Sequence, residues 1–221
     1  MKIPVIVFAV IIGIVLLIVL ISRTSKKQEK KEKDFAQSQG WIYTESYNDP
    51  QGRIEELKAR LENISPEKEF DVRNNIIVES GEPSVFLFDC WYRVRDWGPK
   101  ERFGFACLIE SRWFSSVESQ VDITERNPAD RLLLSHQVDM GDTEFGRNFI
   151  VTSKNPASTK RVVSEPLQGV LREFKGQLSS TYEINIGPGG AIILTGSNKS
   201  FEEWPLLIDL ARRMESVFEP F

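Results

Sequence analysis

Two cysteines and a single histidine in 221 residues leave little material for disulfide, thiol or metal chemistry. Two cysteines exclude a disulfide-rich scaffold. No Walker loop, G-x-G-x-x-G turn, G-x-S-x-G elbow, C-x-x-C pair or H-E-x-x-H helix occurs. Long apolar runs are equally scarce. Only Ile3–Ile21 is long enough to span a bilayer, which excludes a polytopic membrane protein. Aromatics are not lacking: 14 Phe and 5 Trp exclude a disordered chain. What remains is one oily end and a body large enough for a single domain with a core.

Ile3–Ile21 carries no charged or strongly polar side chain. At about 1.5 Å per residue it reaches the thickness of the hydrocarbon core, so a transmembrane helix over residues 1–22 is expected. Pro4 falls in the first turn, where its missing N–H costs little. A cleaved signal peptide would have a shorter apolar run, a more basic start and a small-residue cleavage site. Ser22-Arg-Thr-Ser25 is a poor one, and no cysteine follows for lipid attachment.

Orientation comes from basic residues. Lys2 precedes the span, whereas Arg23, Lys26, Lys27, Lys30, Lys31 and Lys33 follow it. The positive-inside rule places the C-terminal side in the cytoplasm, in the inner (plasma) membrane of the cell. Residues 23–34 read as a charged juxtamembrane linker or the exposed end of the membrane helix. The same lysines could face anionic lipid, but Glu29, Glu32 and Asp34 dilute them.

The body from Phe35 onward is acidic, in contrast to its basic leader, which argues against a nucleic-acid partner. Its patterning predicts an α+β domain over residues 35–221, a mostly antiparallel sheet with packed helices. Strands are expected at Trp41–Thr44, Asn75–Glu79, Ser84–Val94, Phe103–Ile109, Phe149–Thr152, Tyr182–Ile186 and Ala191–Thr195. Ile54, Leu57, Leu61 and Ile64 mark one face of a helix. Leu167, Val170, Leu171 and Phe174 mark another, with Ser164 as its cap and Pro166 in its first turn. Trp204, Leu207, Ile208, Ala211, Met214, Val217 and Phe218 make the last helix amphipathic. Its start reads either as a Ser200–Glu203 capping box or as a first turn at Pro205.

In the hairpin around Asp96–Glu101, pairing Val94 with Phe103 sets Cys90 opposite Cys107 and aligns every counted apolar residue on one face. In an oxidising compartment these cysteines would then be placed to bond. A strand, helix and hairpin from Trp41 echo another set from Phe149 at a fixed offset, which points to two β-α-β-β units.

Candidate chemistry is thin. Gly187-Pro-Gly-Gly190 is read as a turn, because Pro188 removes an amide and a strand follows. His136 has Asp130, Asp139, Asp142 and Glu144 close in sequence, a poor metal set. A membrane-anchored hydrolase would have to use this His136–Glu144 segment. Trp97, in the hairpin loop, with Trp113 and Phe114, are candidate partner contacts. The competing reading folds Trp97 back over the sheet edge as part of the core. No cofactor, metal or catalytic residue is assigned.

From Phe35 to Phe218 the chain resembles a family of uncharacterised bacterial membrane-anchored α+β domains of unknown function. The likeness rests on Phe35-Ala-x3-Gly-Trp-Ile-Tyr43, Asn74-Asn-Ile-Ile77 and Val85-Phe-x-Phe-Asp89. Its most specific piece is Glu144-Phe-Gly-Arg-Asn-Phe-Ile-Val-Thr-Ser153, followed by Pro166-Leu167. The resemblance implies the fold and no activity, since none is established for the family. Many members look longer at the N-terminus, with more than one membrane helix; this chain has one candidate. Together these features lead us to expect a single-pass, cytoplasm-facing, non-catalytic interaction or scaffold module with a protein partner. A lipid or peripheral-membrane sensor is the remaining alternative.

Overall fold

The structure is a computed structural model that describes residues 26–27, 29–45, 49–80, 82–94, 101–126, 136–141, 143–178, 182–196 and 201–218. Two compact units divide the chain, Met1–Trp41 and Ile42–Phe221. The second begins downstream of the boundary expected at Phe35. Among the described residues no helix is long and apolar enough to cross a membrane. The expected span, Ile3–Ile21, lies outside them.

In the first unit, residues 29–38 are helical. The helix ends in a left-handed glycine, Gly40, at φ 76°. Gly40 N donates to Gln37 O at 3.0 Å and Trp41 N to Ala36 O at 2.9 Å. This is the paired hydrogen-bond pattern of a Schellman cap, which favours glycine because a Cβ resists positive φ. The apolar contact that accompanies such caps is present, with the Phe35 and Trp41 rings edge-on at 5.9 Å. The Phe-Ala-x3-Gly-Trp motif is therefore a helix stop.

The second unit is α+β, as expected. Its strands are β1 (Ile42–Glu45), β2 (Lys68–Val72), β3 (Asn74–Glu79), β4 (Ser84–Val94), β5 (Glu101–Glu110), β6 (Val121–Glu125), β7 (Phe149–Ser153), β8 (Tyr182–Gly187) and β9 (Gly190–Gly196). The helices are α1 (Arg53–Ile64), α2 (Glu144–Asn148), α3 (Pro156–Val162), α4 (Glu165–Phe174) and α5 (Trp204–Ser216). One nine-stranded sheet runs β1-β3-β4-β5-β9-β8-β6-β7, with β2 added to β4. Every pairing is antiparallel.

β4, β5 and β9 carry the core on both faces. On one, Phe86, Phe88, Cys90 and Tyr92 join Ala106, Leu108, Ile192 and Leu194 beneath Ile54, Leu57, Leu61 and Ile64 of α1. On the other, Leu87 lies beside Cys107, and Cys107 beside Ile193. There Trp204 of α5 stacks on Phe105 at 5.1 Å. Strands buried on both sides read as near-continuous apolar runs rather than alternations.

That double burial corrects the expected hairpin register. Cys90 pairs with Gly104 and Leu87 with Cys107, a three-residue shift from the expected alignment. An odd shift exchanges faces, so the cysteines lie on opposite sides of the sheet. Aligning residues on one face could not choose the register, because both faces are apolar. Gly104 serves the other neighbour of β5: a Cβ there would sit 2.5 Å from the Thr195 carbonyl oxygen of β9.

The two β-α-β-β units are not equivalent in space. β1 pairs antiparallel with β3. Its counterpart β7 is separated from β8 by β6, and two antiparallel steps leave β7 parallel to β8. The echo is a likeness of apolar pattern and does not extend to topology. β2, β6 and α3 were not anticipated, and Leu132–Leu134 lie outside the described residues. The last helix starts with Pro205 in its first turn. Gly187-Pro-Gly-Gly190 is the β8–β9 turn, and the Gly189 amide donates to Phe114 O at 3.3 Å instead of facing an anion.

Both cysteines are free and fully buried, and burial pushes their thiols far above the ordinary range. The folded protein is expected to resist thiol-reactive dyes and to form no internal disulfide under oxidation. Intact mass after oxidation checks this. Loss of two hydrogens from the native protein would contradict the register.

Candidate functional site

The residues singled out from the sequence take different places. Trp113 lies in a 3-10 turn, Arg112–Ser116, whose N-cap Ser111 accepts from Trp113 N through Oγ at 3.3 Å. Its ring is half-buried, with the Arg112 guanidinium 4.3 Å above it. Phe114 is fully buried against Phe218, ring centroids 4.8 Å apart. Its expected place at a contact surface is corrected: it is core, and its neighbours in the turn hold it there. Trp97 lies outside the described residues.

His136 is exposed, with a left-handed backbone at φ 68°, and its carbonyl accepts from Ser153 N at 3.0 Å. Asp139 Oδ1 accepts from Gly141 N at 2.8 Å, and Glu144 stands exposed in the first turn of α2. Asp130 and Asp142 lie outside the described residues. Among the described residues, no hydrogen bond joins the His136 imidazole to a carboxylate, and no group of three or more His, Cys, Asp or Glu could hold a metal ion. The segment forms a hydrogen-bonded edge beside β7, with Gln137 bridged to Thr152.

A cluster not foreseen from the sequence draws polar side chains together from distant stretches. Lys68 opens β2 almost fully buried, and its Nζ lies 2.7 Å from Glu183 Oε1 of β8. Asn185 follows two residues later, so strand alternation puts it on the same face. Its Nδ2 donates to Glu183 Oε1 at 3.1 Å. Ser65, the C-cap of α1, donates from Oγ to Asn185 Oδ1 at 3.2 Å. Gln120 Nε2 donates to Ser65 Oγ at 3.3 Å and to Asp122 Oδ1 at 2.7 Å. Asp122 is the β6 neighbour of Asn185.

Burial is the largest influence on the Asp122 carboxyl and raises it from 3.8 to about 6. Lys68 and the Gln120 amide pull it down; Glu183 and Glu67 push it further up. This arrangement can hold a proton near neutral pH. It does not activate a nucleophile, because the Ser65 hydroxyl donates to an amide oxygen and not to a base.

A second carboxyl, Asp89 on β4, is also raised to about 6, chiefly by burial, against the pull of Asn74 and Arg73. Asn74 holds it twice, donating from Nδ2 to Asp89 Oδ2 at 2.9 Å and accepting from Asp89 N at 2.7 Å. The two residues lock β3 to β4 where β2 ends.

The sequence carried only a faint sign of the cluster. Glu183 and Asn185 alternate with Tyr182, Ile184 and Ile186, and Asp122 sits between Val121 and Ile123. Such alternation ordinarily marks a solvent face. Here the end of α1 and the start of β2 cover it, which no local pattern could announce.

No family model and no curated protein matches the chain. Among solved structures, it is similar to the crystal structure of the mycobacterial trehalose monomycolate transport factor A, TtfA. Identity is 12%, the TM-score is 0.54, and the match covers 86% of this chain and 93% of that one. The likeness is one of fold.

Removing one partner of a buried pair strands the other charge. Lys68→Met is therefore expected to destabilise the unit by about 3 kcal/mol, measured by urea unfolding. An effect below about 1 kcal/mol, the range of an exposed pair, would mean the cluster is solvated. Asp89 has the opposite pH signature to a salt-bridged acid. Its raised carboxyl leaves full stability below pH 3.8, and that share is lost as pH rises through about 6. Asp89→Asn should thus match wild type at low pH and exceed it at pH 8, by up to about 3 kcal/mol. Identical pH–stability curves for the two proteins would refute the assignment.

Proposed function

We propose that this chain is a single-pass membrane protein whose Ile42–Phe221 unit faces the cytoplasm as a non-catalytic interaction module in a membrane-located process. The observation that carries this reading is the fold likeness to TtfA. It extends over nearly all of a chain whose name describes a transport factor. The sequence adds the apolar run Ile3–Ile21 and its one-sided basic flank. The resemblance to membrane-anchored α+β domains without an assigned activity points the same way. The cargo named for TtfA belongs to that protein; the part carried over here is no more than a role as a factor in a transport process.

Trp113 is the contact we favour, because an aromatic held half-exposed by an arginine suits an interface more than a core. Two measurements test the reading. A reporter enzyme that works only outside the cytoplasm, fused after Phe221, should stay inactive, while a fluorescent protein at the same place should mature. The reverse result would overturn the topology. A photo-crosslinking residue at position 113 should give one discrete protein adduct in cells, and Trp113→Ala should cut cellular function several-fold without lowering the melting temperature. Unaltered function in Trp113→Ala, with no adduct, would remove Trp113 from the proposal.

A further inference from the structure

The charged leader sorts its charges by face. Residues 26–27 and 29–38 are helical. One count of about 3.6 residues per turn through both stretches places Lys26, Lys27, Lys30 and Lys31 within an arc of about 140°. All four are exposed. Glu29, Glu32, Lys33 and Ala36 fall in a separate arc of about 100°. That second face is the less exposed one: Ala36 is fully buried and the other three are half-buried. Glu29, Glu32 and Lys33 are each engaged in an interaction there. Along the sequence, three acids dilute the lysines. On the helix, two of those acids lie away from them, and only Asp34 shares the lysine face.

We propose that this lysine face docks on anionic phospholipid headgroups of the membrane that holds Ile3–Ile21. The inference rests on the single-span reading above and adds a second membrane contact to it.

Reach favours lipid over an acidic protein. Lys26 follows Ile21 by five residues, an extended length of at most about 18 Å. A span ending at Ile21 therefore leaves the lysine face beside the headgroups, where no diffusing partner has to be recruited. When the helix lies along the surface, all four ammonium groups meet the negative potential of the leaflet together. Topology alone does not require the sorting. The positive-inside rule counts basic residues near the span and is indifferent to the helix face they occupy. The other members of the face, Asp34, Gln37 and Ser38, are polar and exposed. With no apolar side chain to immerse, the contact is electrostatic, sits at headgroup level and is sensitive to salt.

The test uses the full chain in lipid nanodiscs, with a nitroxide on Gln37→Cys, a position on the lysine face. Cys90 and Cys107 are buried, so the label goes to residue 37. Contact is read as the collision rate of the nitroxide with a nickel-chelating lipid present in every disc. That rate should rise roughly threefold when about a quarter of the neutral phosphatidylcholine is replaced by phosphatidylglycerol, and fall back in high salt. Replacing Lys26, Lys27, Lys30 and Lys31 by Gln should abolish the rise. Asp34→Asn clears the acid from the face and should raise the salt needed to release the label. Glu32→Gln, on the other face, should leave that salt concentration unchanged. Equal collision rates in the two discs, a rise retained in the lysine variant, or equal responses to Asp34→Asn and Glu32→Gln would overturn the proposal. Flotation of the unlabelled chain with neutral vesicles in high salt tests the span separately. A chain that floats but gives no anionic-lipid response refutes the lysine face alone; a chain that fails to float refutes the span and the lysine face with it.

Discussion

Burial on both faces of β4, β5 and β9 is the constraint from which the rest of the structure follows. Three adjacent antiparallel strands present apolar side chains to α1 on one side and to α5 on the other. A strand buried on both sides cannot slide by one residue without exchanging two packed faces, although it has no polar face to announce its register. Between β5 and β9 the strands fit by shape. Gly104 admits the Thr195 carbonyl oxygen of β9, and Thr195 returns a hydrogen bond from Oγ1 to Phe105 O at 2.9 Å. The separation of the cysteines follows from the β4–β5 register, in which Cys90 pairs with Gly104 and Leu87 with Cys107.

Against this apolar centre, two groups of polar side chains sit where strands from different parts of the chain meet. Asp89 and Asn74 lock β3 to β4 at the break between β2 and β3. Lys68, Glu183, Asn185, Ser65, Gln120 and Asp122 lock the α1–β2 turn to β6 and β8. Buried polar groups cost desolvation, and a network repays that cost only where its members are satisfied. Both places hold a carboxyl lifted toward neutrality by burial, so part of the protein's stability is tied to the retention of protons.

Legibility in the sequence followed the range of the forces involved. The helix of Ile54, Leu57, Leu61 and Ile64 was readable because its face repeats every three to four residues. So was the β8–β9 hairpin, because Pro188 and Gly189 set its turn. The Phe35–Tyr43 segment stood out in the sequence only through its resemblance, and the structure shows it to be a helix stop made by local hydrogen bonding at Gly40. β6 was not readable, since Val121-Asp-Ile-Thr-Glu125 is too short and too polar to stand out from its surroundings. Phe114 looked like a surface aromatic only because Phe218, its packing partner, lies more than a hundred residues away. The repeat suggested by Phe149 failed for a related reason: the insertion of β6 beside β7 is a decision of the sheet and leaves no trace in the spacing.

By itself, the amino-acid sequence determined the α+β character of the body, most of its strands and helices, and the contrast between an apolar, basic-flanked leader and an acidic domain. These depend on side-chain periodicity and on charge along the chain, both local. The tertiary structure alone decided the register of β4 against β5, the opposite faces of Cys90 and Cys107, the burial of Phe114 and the meeting of Lys68 with Glu183 and Asp122. Each depends on which strands become neighbours. Neighbours are chosen by how two apolar faces and a few glycines fit together, a comparison between distant residues that no stretch of sequence makes alone.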